Sequence, residues 1–180
     1  MTEVQSHAAS AAADTAALLY RTALEAGRAT LDTGELARLL AAADLRTTTA
    51  AAGAIELSIR VHATREFGLV LDAGAGGLDA ALDPANFARD RAAVHAAVEL
   101  TDGEDFLARF RRTIAWQRIA ALAARRGVQP PDAALARLFE AALQLAAGGL
   151  PDAPGAQVAL HELVLDCACD GEAVQVLAAR

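Results

Sequence analysis

Two short stretches carry the residue types best suited to chemistry. VHATREF runs from Val61 to Phe67 and VHAAVEL from Val94 to Leu100. Each reads Val-His-Ala-x-x-Glu-apolar, so each places a histidine four residues before a glutamate. On a helix, residues four apart share a face. A histidine there can bind a ligand or move a proton, because imidazole titrates nearest neutrality. His95 with Glu99 is expected on such a face. His62 and Glu66 fall where the pattern is not helical and are expected to be parted by a turn. The two stretches are therefore read as one plausible pair and one lone His62. A surface hydrogen bond or ion pair, which contributes little, is the plainer reading of both.

HELVLDCACD, from His161 to Asp170, is the second candidate. On a strand Cys167 and Cys169 share a face; on a helix they diverge by roughly 200°. One Cys-x-Cys without a second cysteine pair falls short of a four-ligand zinc site. No metal and no cofactor are expected. The third candidate is RFRRTIAWQR, where Arg109, Arg112 and Arg118, with Trp116 nearby, can recognise a phosphate or carboxylate. Glu104 and Asp105, one turn earlier, favour intrahelical pairing instead. DAGAGGLD lacks the last glycine of a dinucleotide loop and reads as a flexible connector. No nucleophile elbow, His-Glu-x-x-His or Walker sequence is present.

Composition narrows the classes. The chain has 180 residues, 54% of them hydrophobic and only 4% aromatic. Mean hydropathy is +0.27, and much of the apolar excess is alanine. Alanine loses no rotamer freedom in a helix, so helices are favoured around an aliphatic core. All 16 basic residues are arginine, which we read as codon bias of a GC-rich bacterial genome. The net charge of −7 argues against nucleic acid and against anionic membrane surfaces. An acidic N-terminal stretch and the lack of a long apolar run point to a cytoplasmic protein.

These residues need elements to hold them. Leu18, Leu19, Ala23 and Leu24 make a helical stripe over 14–26, with Gly27 placed to end it. LDTGELARLLAAAD follows, capped by Asp32 or Thr33. AIELSIRVHA alternates Ile55, Leu57, Ile59 and Val61 with polar residues, the period of a half-buried strand. FGLVLDAG is a second such run. Asp83 and Pro84 are expected to start a helix whose face holds Phe87, Arg91, Val94 and Val98. Residues 103–126 read as one long helix, and AALARLFEAALQLAA as another. The tail over 155–180 fits either a buried helix or a hairpin at Asp170-Gly171. Apolar residues on all sides tip it to helix.

The expected fold is a mainly α single-domain helical bundle of about six helices, with a small β-hairpin at 54–73. Residues 1–10 are expected as a flexible leader and 11–180 as one helical domain. The expected function is a non-enzymatic accessory protein acting through helix-mediated contacts, as a homo-oligomer or with a protein partner. The alternative is a small-molecule-binding protein or metal-independent enzyme of specialised metabolism. Its site would draw on His62, His95, Glu99, Arg112, Trp116 and His161, with a histidine as acid or base.

Overall fold

The computed structural model describes residues 2–50, 52–150 and 159–180. A five-stranded antiparallel sheet organises the chain, in the order β3-β2-β1-β4-β5. Its strands are β1 (Ile55–Thr64), β2 (Gly68–Ala75), β3 (Ala93–Ala97), β4 (Glu162–Cys169) and β5 (Val174–Ala179). The helices are α1 (Thr2–Glu25), α2 (Thr33–Ala42), α3 (Asp79–Asn86), α4 (Arg89–Ala92), α5 (Gly103–Phe110), α6 (Ile114–Arg126) and α7 (Asp132–Ala147). A single three-ten turn covers Val98–Leu100.

This corrects the expected helical bundle. The hairpin of β1 and β2 exists, but it is the middle of a sheet and not an appendage. β1 pairs with β2 on one edge and with β4 on the other. The alternation in AIELSIRVHA marks one strand; it does not reveal how many others join it. The tail, read as helix, is the hairpin of β4 and β5. β4 is buried on both faces, apart from Glu162 at its start and the half-buried Asp166. A strand covered on both faces loses its alternation and resembles a buried helix in sequence. Asp170 turns the chain: its Oδ1 accepts from the backbone N–H of Glu172 and Ala173. Gly171 supplies the positive φ of 95° that the turn needs. Residues 155–158 of that tail lie outside the described residues.

Two helical expectations fail for local reasons. VHAAVEL is β3 plus the three-ten turn, because Val94 and Ala96 point into the core while His95 points out. The expected helix over 103–126 is two helices. Thr113 is fully buried; its hydroxyl accepts from Trp116 N and donates to Phe110 O, capping α6 and closing α5. Asp83 caps nothing. It lies within α3, and Arg118 of α6 grips both its oxygens at 2.8 and 3.0 Å. Gly27, Asp32 and Gly127 end or start helices as their types require.

The core lies on one face of the sheet. Leu57, Ile59 and Val61 pack there with Leu71, Leu165 and the helices α5, α6 and α7. Phe139 of α7 meets Phe106 and Phe110 edge-on, with centroids 4.9 and 5.2 Å apart. All three rings are fully buried, and each stabilises the fold by roughly 2–3 kcal/mol. Tyr20 of α1 donates to Leu145 O and ties α1 to α7. The opposite sheet face carries Ser58, Arg60, His62, Asp72 and His95, none of them fully buried. Among the described residues, no helix is long and apolar enough to cross a membrane.

Two stability outcomes follow. The Asp83 side chain is 3% exposed, while Asp79, the other partner of Arg118, is 48% exposed. Arg118→Ala strands a buried carboxylate and should cost about 3 kcal/mol in urea denaturation. Asp79→Ala should cost under about 1 kcal/mol. At the start of α2, Arg28 donates to both oxygens of Glu35, and the Asp32 backbone N–H donates as well. These bonds hold the Glu35 carboxyl down at about 2. A carboxyl depressed in the folded state adds stability above its unfolded pKa and loses it as pH falls through the folded value. Glu35→Gln should therefore lower the melting temperature at neutral pH, and the deficit should vanish as pH falls to about 2.

Candidate functional site

The register of β1, β2 and β3 builds a histidine–aspartate–histidine group on the open sheet face. Asp72 of β2 stands directly across from His95 of β3. On its other side it stands across from Arg60 of β1, so His62, two residues along, is its diagonal neighbour. His95 Nδ1 lies 2.6 Å from Asp72 Oδ1, a hydrogen bond. His62 Nδ1 lies 3.0 Å from Asp72 Oδ2. That second approach has no hydrogen-bond geometry, and His62 Nδ1 is buried without a partner among the described residues. Leaving a buried polar atom unpaired costs about 1–3 kcal/mol.

The chemistry follows from the carboxylate. An ionised Asp only accepts, so the Nδ1 facing Asp72 carries the proton. The lone pair of His95 is then on Nε2, away from Asp72. A carboxylate that fixes the tautomer and orientation of an imidazole leaves that nitrogen ready to take a proton or attack an electrophile. The His95 side chain is 58% exposed, so it is open to a ligand. A hollow of about 210 Å³ adjoins it, lined by Ser58, Arg60, Asp72, Gly74, Asp83 and His95. This is smaller than the roughly 300 Å³ of an ordinary ligand site. It suits the reacting end of a ligand. Gly74 leaves no room for a side chain beside β3: a Cβ there would stand 2.9 Å from Ala92 O. Arg60 is engaged with Glu162 at 2.5 Å.

The other expected site residues scatter. Glu99 is exposed in the three-ten turn and shares no helix face with His95. Glu66 is exposed in the β1–β2 turn. Arg112 is exposed between α5 and α6. Trp116 donates its Nε1–H to Asp132, which also receives Arg111. Arg112 and Trp116 thus form no anion site together. His161 is exposed just before β4. Cys167 and Cys169 do share a face, but it is the core face. Burial pushes the Cys167 thiol up to about 12 and raises Cys169 as well. Among the described residues, no group of three or more His, Cys, Asp or Glu is set to hold a metal ion.

Asp72 is the residue that sequence reasoning missed. Its signal was present: a single aspartate inside GLVLDAGA, although aspartate is depleted in strands. Nothing local linked it to histidines on two other strands.

No family model matches the chain, and no curated protein matches it. Among solved structures, the fold is similar to a chain of acetyl-coenzyme A synthetase 1 from Ca. Korarchaeum cryptofilum, described as dinucleotide forming. In the complex with coenzyme A and Mg-AMPPCP the TM-score is 0.64 at 15% identity, over 92% of this chain and 98% of that one. The apo form gives a TM-score of 0.62 at 16% identity over the same shares. At this identity the likeness shows the fold alone.

The Asp72 contact has a spectroscopic consequence. Nitrogen chemical shifts should report the Nδ1–H tautomer for His95. Asp72→Asn should return His95 to the Nε2–H form usual for a free imidazole. An Nε2–H tautomer in the unaltered protein would refute the arrangement.

Proposed function

We propose that this chain is a small-molecule-binding protein whose open sheet face performs metal-independent acid/base chemistry through His95. The observation that carries the reading is the 2.6 Å contact between His95 Nδ1 and Asp72, beside a hollow open to solvent. His95 is the acid or base and Asp72 its positioning residue. His62 lies against the same carboxylate from the other strand, with its Nδ1 buried and without a hydrogen bond. Arg60 and Ser58 line the hollow and orient a polar or anionic group there. The structural neighbour's title names coenzyme A, Mg-AMPPCP and a phosphohistidine segment. Those words describe that synthetase. They are compatible with a reactive histidine here and assign no residue of this chain. A cytoplasmic location accompanies the proposal, supported by two cysteines that are both free thiols.

A second reading, an accessory protein working through a protein partner or as a homo-oligomer, draws on a different observation. Leu78 and Leu82, at the start and in the middle of α3, are 88% and 55% exposed, and Phe87 follows them at 38%. Apolar side chains this exposed and this close in sequence support a contact surface.

A thermal-shift screen of small carboxylates, phosphates and hydroxy acids tests the first reading. A ligand that binds only the native state must raise the melting temperature. Hits should lose their shift in His95→Ala and in Asp72→Asn, and keep it in His161→Ala. Shifts unchanged by the first two variants would overturn the assignment. Light scattering tests the second reading: a clean monomer at micromolar concentration would remove the homo-oligomer.

A further inference from the structure

The two edges of the sheet differ. At the β5 edge, Thr47 forms a parallel bridge with Val176, and the Thr48 N–H donates to Val176 O at 2.8 Å. The β3 edge has no such cover. β3 pairs with β2 on one side, and no strand follows it on the other. Among the described residues, Val94, His95 and Ala96 make no backbone hydrogen bond on that outer side. Natural edge strands are commonly blunted by charge, proline or a bulge. β3 reads Ala-Val-His-Ala-Ala, without proline, carboxylate or arginine, and its ladder with β2 runs without a bulge.

The flanks of this edge say what fits it. Arg89, Asp90 and Arg91 precede β3, Glu99 and Asp102 follow it, and all five are exposed. Among the described residues, none of Arg89, Arg91 and Glu99 belongs to an ion pair. Arg91 makes a 3.5 Å bond to Gln117, and Asp102 caps α5. The edge therefore starts net positive and ends negative. Apolar side chains stand at both ends as well: Phe87 before it is 38% exposed and Leu100 after it is 78% exposed. A strand that pairs antiparallel starts where this one ends. To match, it must also start positive and end negative. β3 itself has that order.

We propose that β3 pairs antiparallel with β3 of a second copy of this chain, about a two-fold axis, so that the two sheets become one. Centred on His95, this register sets Ala93 against the partner's Ala97. It brings Arg91 to the partner's Glu99 and Glu99 to the partner's Arg91, and Leu100 toward the partner's end that carries Phe87. Such an interface is isologous, so each complementary contact occurs twice. Backbone hydrogen bonds hold the strands, and the end charges set their direction. An edge of five residues buries little area, so the dimer is weak and forms in the micromolar range. The inference rests on the homo-oligomer of the second reading, for which it names the surface, and is independent of the acid/base reading.

Sedimentation velocity on the full chain, from micromolar to millimolar concentration, tests it. The unaltered protein should pass from monomer to dimer as concentration rises. Arg91→Glu and Glu99→Arg each create two like-charge contacts in a homodimer, so each should raise the dissociation constant at least about tenfold. An equal mixture of the two variants should dimerise as the unaltered protein does. In that heterodimer Glu at 91 meets Arg at 99, and Arg91 of the other chain meets Glu99. A variant that had merely misfolded could not be rescued by mixing. Monomer at every concentration overturns both this inference and the homo-oligomer. A dimer indifferent to the single variants, or a mixture no tighter than either variant alone, overturns the β3 pairing and leaves a homo-oligomer through another surface.

Discussion

The antiparallel pairing of β1 with β2 is the constraint on which the molecule depends. Side chains along a strand alternate faces, so a single register sorts the whole hairpin at once. Leu57, Ile59 and Val61 go to the helices together with Leu71 and Ala73. Ser58, Arg60 and His62 go to the other face together with Asp72 and Gly74. A slip of one residue would send the leucines to solvent and the histidine into the core. The hydrophobic face therefore fixes the polar one. The site residues are held where they are by the burial of side chains on the reverse of the same strands.

That coupling explains how an exposed group can be well oriented. Exposed ion pairs contribute little to stability, and the Asp72–His95 contact need not stabilise the fold. It is positioned by backbone ladders on both sides of β2, which cost nothing further when the pair forms. One carboxylate facing two imidazoles is an asymmetric arrangement: His95 takes the good hydrogen bond and His62 is left beside the second oxygen without one. The His62 nitrogen is buried and makes no hydrogen bond. The fold satisfies its polar atoms elsewhere, as Asp83 with Arg118 and Asp132 with Trp116 and Arg111 illustrate.

The cysteines make the converse point. Cys-x-Cys on a strand does place both sulfurs on one side, as the sequence allowed. The side is the core, against Leu57 and Ile55 of β1. There desolvation keeps the Cys167 thiol protonated, and a protonated thiol is neither a nucleophile nor a metal ligand. The same pairing of β1 with β4 hides the thiols on one face and lays Glu162 against Arg60 on the other.

Local rules were legible wherever a local force decides. The strand period in AIELSIRVHA, the cap at Asp32, the stop at Gly27 and the basic end of α6 before Gly127 follow from side-chain alternation, backbone donors and φ preference. Each acts within a few residues. The sequence by itself thus determined where several helices start or stop and that 54–73 is a hairpin. The tertiary structure alone decided the rest. β3 and β4 are short or doubly buried, so their periodicity is weak, and only their neighbours make them strands. Pairing across the chain also decided that the two histidines, each first matched to a glutamate four residues on, instead meet at Asp72. Sequence spacing governs contact only along a helix or strand. Between strands, contact is set by register, and register is a property of the packed sheet.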